Sequence, residues 1–134
     1  MIPIDFLSDF NGNAGTSLAA LDRLDLPKRL PLEYLQLLTQ LDGGEGFIGA
    51  SYVILYPSSE LAEANKGYEF PKYLPGVFLI GSDGGGEGFA IDLRKSEPEY
   101  VVVPFIGAEE STIKSLGKSL LEFFQKLRAG DLLN

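Results

Sequence analysis

The sequence has no cysteine, no histidine and no tryptophan, and each absence excludes something. Without cysteine there is no disulfide scaffold, no thiolate zinc site and no thiol nucleophile. Without histidine the commonest general base is gone, and with it the Ser-His-Asp triad and imidazole metal sites. An enzyme built from this chain would have to work through carboxylates, lysine or tyrosine. The expectation is therefore a protein with no catalytic residues, no cofactor and no metal. Long apolar runs are missing too. No stretch approaches the roughly 20 residues that span a bilayer. The opening Met-Ile-Pro-Ile-Asp-Phe-Leu lacks the basic region and long apolar run of a signal peptide. No membrane contact and a cytoplasmic location are expected.

Positive charge is scarce: 11 Lys and Arg stand against 19 Asp and Glu, a net charge of −8. Such a surface repels nucleic acid and anionic membranes and favours basic partners or cations. The same charge also keeps a protein soluble. What is present suits a single domain over residues 1–134, since a second full core would not fit in this length. Nine Phe and six Tyr supply bulky core residues.

Along the chain, Asn11-Gly12-Asn13-Ala14-Gly15 reads as a turn. Thr16 or Ser17 then caps a short helix carrying Leu18, Leu21 and Leu24, which Pro27 stops. A second helix starts at Pro31, carries Tyr34, Leu37, Leu38 and Leu41 on one stripe, and ends at Gly43. Phe47-Ile48 and Tyr52-Val53-Ile54-Leu55-Tyr56 read as strand. A short helix follows from Ser58 or Ser59 through Ala64 to Gly67. Tyr68 to Pro75 reads as an aromatic loop whose two prolines forbid regular structure. Val77 to Ile80 and Phe89 to Leu93 form an antiparallel hairpin across a glycine-rich turn. Tyr100-Val101-Val102-Val103 is apolar enough for a strand buried on both faces. From Glu109 and Glu110 to Gly130 the pattern predicts one helix with Ile113, Leu116, Leu120, Phe124 and Leu127 on its core stripe. Together these elements predict an α+β fold, a central and mainly antiparallel sheet flanked by helices.

Several short motifs invite a chemical reading. Gly44-Glu45-Gly46-Phe47-Ile48-Gly49 spells G-x-G-x-x-G, but that phosphate cradle needs a strand before it and a helix after it. A helix precedes it here and a strand follows, so it reads as a helix-to-strand turn. Gly117-Lys118-Ser119 and the S-x-x-K matches at Ser111 and Ser115 read as chance matches inside the last helix. A calcium loop starting at Asp83 fails where Gly85 and Arg94 stand in place of oxygen ligands. Asp83 and Glu87, with Asp42, Glu45 or Asp92, leave a loose cation site open, against the ordinary reading of solvated turns.

Three blocks in order carry a resemblance. They are Leu30-Pro31-Leu32-Glu33-Tyr34 leading to Asp42-Gly43-Gly44-Glu45-Gly46, then Ser82-Asp83-Gly84-Gly85-Gly86-Glu87-Gly88 running to Asp92, and a late Leu120-Leu121-Glu122-Phe123-Phe124. From about Leu30 to Leu127 the chain resembles the SUKH superfamily, which includes fungal cell-wall assembly and killer-toxin-resistance regulators and bacterial immunity proteins. Asp42 stands where that pattern usually has Asn, and Glu87 where it has Asp. The resemblance implies an α+β domain and, as leading role, an immunity protein that binds and neutralises a toxin, often a nuclease. The alternative it leaves is an intracellular regulatory or scaffold domain with no toxin partner. The expected partner is a protein, basic by charge complementarity. Its contacts are expected at the acidic loops (Asp42, Glu45, Asp83, Glu87) and at exposed aromatics (Tyr68, Phe70, Tyr73).

Overall fold

The computed structural model describes residues 2–130 and 132. After a single 3-10 turn at Ile4–Leu7 come β1 (Phe10–Ala14), α1 (Leu18–Asp22), α2 (Leu32–Gln40), β2 (Leu41–Ile48) and β3 (Ser51–Leu55). Then follow α3 (Leu61–Gly67), α4 (Phe70–Tyr73), β4 (Val77–Ser82), β5 (Glu87–Asp92), β6 (Glu99–Pro104), β7 (Lys114–Gly117) and α5 (Leu120–Ala129). The seven strands lie in the sheet in sequence order, every neighbouring pair antiparallel. The fold is α+β.

Strand alternation divides the apolar residues between two cores. On β6, Tyr100 and Val102 face the larger core, and Val101 and Val103 the smaller one. The larger core gathers Leu21, Tyr34 and Leu38 from α1 and α2, and Phe123, Phe124 and Leu127 from α5, against Ile48, Val53, Leu55, Phe89 and Ile91. Phe123 is its centre: it stacks on Tyr100 at 5.1 Å and meets Phe89 and Phe124 edge-on, both at 5.7 Å. The smaller core is Phe70 and Leu74 on Val77, Leu79, Ala90, Val101 and Val103. The predicted hairpin and the doubly buried third strand are present as β4, β5 and β6.

The sheet has one thin seam. β3 and β4 pair at Ile54↔Ser82 and Leu55↔Gly81, with one further bond from Tyr56 N–H to Ile80 C=O at 3.0 Å. Beyond it Asn65 replaces a strand: its amide accepts from Leu79 N–H at 2.8 Å and donates to Leu79 C=O at 3.0 Å. A buried Leu79 peptide without these bonds would carry the full desolvation cost of its polar groups.

Four expectations are corrected. Asn11 to Ala14 form an edge strand, not a turn, because β2 offers a backbone with no side chains in the way. A Cβ on Gly46 would lie 2.5 Å from Asp9 O, and one on Gly44 2.7 Å from Gly12 Cα. Helix α2 stops at Gln40; Leu41 is already extended (φ −152°) and pairs with Ala14. Gly43 therefore sits at a kink in β2 with φ 77°, and G-x-G-x-x-G lies largely along a strand. The Tyr68 to Pro75 stretch contains α4, since Pro71 falls in the first turn, where a missing N–H costs nothing. The long last helix is three elements: a 3-10 turn at Glu110–Thr112, then β7, then α5. Ile113 and Leu116 suit a helical stripe, but Gly117 at φ 123° breaks it, and Ser119 Oγ accepts from Glu122 N–H at 3.1 Å to start α5 afresh. Lys114 to Gly117 join the sheet beside β6. The C-terminal cap at Gly130 is as expected, left-handed with φ 76°.

Of the three hairpin glycines only Gly84 has positive φ, at 81°, and open space surrounds Gly86. Gly44→Ala, at φ 143° against the β1 backbone, should therefore cost about 1–3 kcal/mol. Gly86→Ala should be neutral or up to about 1 kcal/mol stabilising. Urea unfolding midpoints measure both, and equal midpoints for the two variants would contradict this assignment.

Candidate functional site

Helical cover differs between the two faces of the sheet. Helices α3 and α4 pack over the second face only where β4, β5 and β6 present Leu79, Ala90, Val101 and Val103. Further along that face, β2 and β3 present Glu45, Phe47, Tyr52 and Ile54 instead, paired as Glu45↔Ile54 and Phe47↔Tyr52. Their neighbours Ile48, Val53 and Leu55 point into the larger core, so alternation leaves this set outside. Phe47 is 50% exposed and Tyr52 36%, their rings edge to face at 5.2 Å. The Tyr52 hydroxyl donates to the Glu45 carboxylate, and that bond is the first cause holding the phenol above its ordinary pKa.

This face continues onto the tip of the β4–β5 hairpin. Gly84 lies beside Tyr52 and Ile54: a Cβ there would touch the Tyr52 ring at 3.4 Å. Asp83 shapes the tip, its Oδ1 accepting from Gly85 N–H at 2.8 Å and Glu87 N–H at 3.2 Å. Glu87 is the half-buried carboxylate of the tip. Burial raises its pKa first, the Asp83 charge adds to that, and Lys114 opposes both. Beyond the tip, Phe105 donates its N–H to Gly86 C=O at 2.8 Å and stacks on the Tyr68 ring at 4.0 Å. Tyr56 lies close to Tyr68 and Ser82, and burial is the first cause holding its phenol above the ordinary pKa.

The structure therefore brings Glu45, Asp83, Glu87 and Tyr68 to one connected surface, and separates the others from it. Asp42 is held internally: its carboxylate accepts from Ser58 N–H at 2.7 Å and Ser58 Oγ at 3.1 Å, clasping β2 to the turn before α3. Phe70 is 2% exposed in the smaller core and is corrected from an exposed anchor to a buried one. Tyr73 is exposed but sits on α4 beneath Lys72 Nζ, 5.0 Å from its ring. Asp92, considered above for a cation site, is buried and bonded by both ends of the Arg94 guanidinium at 2.9 Å. That pairing holds its carboxyl below the ordinary value. Among the described residues no group of three or more acidic side chains is placed to hold a metal ion.

Phe47, Tyr52 and Phe105 complete the surface, and sequence reasoning assigned none of them to it. Their signal was hidden because both faces of β3 are apolar: Tyr52 and Ile54 alternate with Val53 and Leu55, and period alone does not say which pair is inside. The surface sets two exposed rings beside carboxylates, on paired strands that hold them in place. No Lys or Arg occurs anywhere in β1, β2 or β3.

Fold and surface together define an α+β domain with an open, acidic and aromatic face on its antiparallel sheet. Residues 15–126 match the sequence model of the SMI1 / KNR4 family (SUKH-1), and the chain belongs to that family. The match starts earlier than the resemblance traced from Leu30, taking in α1. No curated protein sequence matches the chain. Membership supports a protein-interaction module of the immunity or regulator type. Among the described residues no helix is long and apolar enough to cross a membrane.

Glu87 gives a pH test of this geometry. Its folded pKa lies above its unfolded value, so its contribution favours folding at low pH and is lost as pH rises through the folded pKa. Glu87→Gln should therefore raise the melting temperature at pH 7. The gain should vanish below about pH 4, where the unfolded chain also keeps the carboxyl protonated. A variant less stable than the parent at pH 7 would mean that Lys114 outweighs burial and Asp83 together.

Proposed function

We propose that this protein is an immunity-type binding module that holds a basic toxin domain on the Glu45–Phe47–Tyr52–Asp83–Glu87 face and blocks it. The observation that carries this is the pairing of two exposed, edge-to-face aromatic rings with surrounding carboxylates, on three strands that contain no cation. Exposed rings of this kind are the anchors that dominate protein interfaces. Carboxylates around them raise the rate at which a positively charged partner arrives more than they raise final affinity. A cytoplasmic site of action goes with this role. A regulator or scaffold without a toxin would use the same surface, and the identity of the captured partner separates the two.

The test is affinity capture of the partner from the native host, then stopped-flow kinetics with the purified pair. The partner should be basic. Its association should slow markedly between 0.1 M and 1 M salt, as the Debye length falls from about 10 Å to about 3 Å, while dissociation changes less. Tyr52→Ala should weaken binding by about tenfold or more, and Glu45→Lys should mainly slow association. An acidic partner, or an association rate indifferent to salt, would overturn the proposal.

A further inference from the structure

The two edges of the sheet are not alike. Edge strand β7 is short, carries Lys114, is followed by Lys118 and packs against α5; a lysine on an edge is a common guard against pairing with another strand. Edge strand β1 has no such guard. Asn11, Gly12, Asn13 and Ala14 are all exposed, none is charged and none is proline. The backbone of β1 also has a definite orientation. Phe47 N–H donates to Asp9 C=O at 3.1 Å, and Cβ atoms placed on Gly46 and Gly44 would run into the carbonyls of Asp9 and Asn11. Asp9 and Asn11 therefore face β2, and by antiparallel alternation Phe10 and Gly12 aim their N–H and C=O groups outward.

The charge around this edge has one sign. Asp5 and Asp9 precede it and are exposed, and Glu45 is the cross-strand neighbour of Asn11. No Lys or Arg occurs among residues 1–22 or 30–65. Arg128 reaches this end of the molecule from α5, but its guanidinium lies over the Phe6 ring, 4.6 Å from the centroid. A second copy of the chain laid along β1 would bring Asp5, Asp9 and Glu45 against their own equivalents.

We propose that β1 is a docking edge that accepts an extended, basic peptide segment as an eighth strand, bonded to the outward groups of Phe10 and Gly12. Main-chain bonds supply affinity in this mode, and alternate side chains of the added strand supply specificity. Lysines or arginines on the added strand would meet Asp9 and Glu45. The inference rests on the basic-partner reading above and adds where, and in what conformation, part of that partner binds. The register slip between Gly12 and Ala14 limits the docking run to residues 9–12.

The test is hydrogen exchange of the full chain, resolved to single amides, with a ten-residue peptide of alternating Lys and Val as probe. The amides of Phe10 and Gly12 should exchange at least several-fold more slowly with the peptide. The effect should disappear in 1 M salt and should be absent with a Glu-Val peptide of the same length. Asn11→Lys, which adds an edge lysine at an exposed position, should abolish it without moving the melting temperature. Unchanged exchange at Phe10 and Gly12, protection at β7 instead, or self-association through β1 without peptide would each overturn the docking edge. If β1 stays silent while Tyr52→Ala still weakens the captured partner, the edge is wrong and the open face stands. An acidic partner sinks both.

Discussion

Packing on the second face of the sheet stops at β4, and much of the molecule follows from that limit. Over β4 to β6 the residues on this face are Leu79, Ala90, Val101 and Val103, small enough for Phe70 and Leu74 to sit directly on them. Burying such side chains contributes roughly 25 cal/mol for each Å² removed from water. Over β2 and β3 the same face carries a carboxylate, two exposed rings and a half-buried isoleucine. No helix could cover Glu45 there without desolvating its charge. The seam between these halves is correspondingly thin, two residue pairs, with Asn65 and the Asp42–Ser58 clasp taking over where the ladder ends. What remains is a bare face on the sheet, beside the β4–β5 hairpin tip.

The glycines belong to the same account. The first two that spell a nucleotide fingerprint, Gly44 and Gly46, are where β1 and β2 come together closely enough to leave no room for a Cβ; the third, Gly49, packs against Arg128. Their positive φ values, 143° and 147° at Gly44 and Gly46, are open to glycine at little cost and strained for any other residue. The motif is thus about assembling an edge. It makes β1 a strand, and β1 in turn is the unguarded side of the sheet.

Much of the fold was legible in the sequence because local chemistry and tertiary packing agreed there. Ser17 caps α1, Pro31 opens α2, Gly130 closes α5, and the β4–β5 hairpin turns where its glycines cluster. It failed where a residue type serves two structures. Asn11 and Gly12 suit turns, yet pair as a strand once glycines face them. Ile113 and Leu116 fit a helical spacing and also the alternation of a short strand, and only long-range pairing with β6 decides between them. For the surface, charge was readable and orientation was not. Glu45, Asp83 and Glu87 were nameable as acidic turn residues, but nothing local says that Phe47 and Tyr52 point outward or that Phe70 points in.

On the proposed function, the partner sits on the bare acidic and aromatic face. Amide chemical-shift mapping on the isotope-labelled protein, titrated with the captured partner, addresses that most directly. Shifts concentrated on Glu45, Phe47, Tyr52, Ile54 and the Asp83 to Glu87 tip, with the outer surfaces of α1 and α2 unmoved, are the result this account predicts. Shifts concentrated on α1 and α2, with Phe47 and Tyr52 silent, would contradict it.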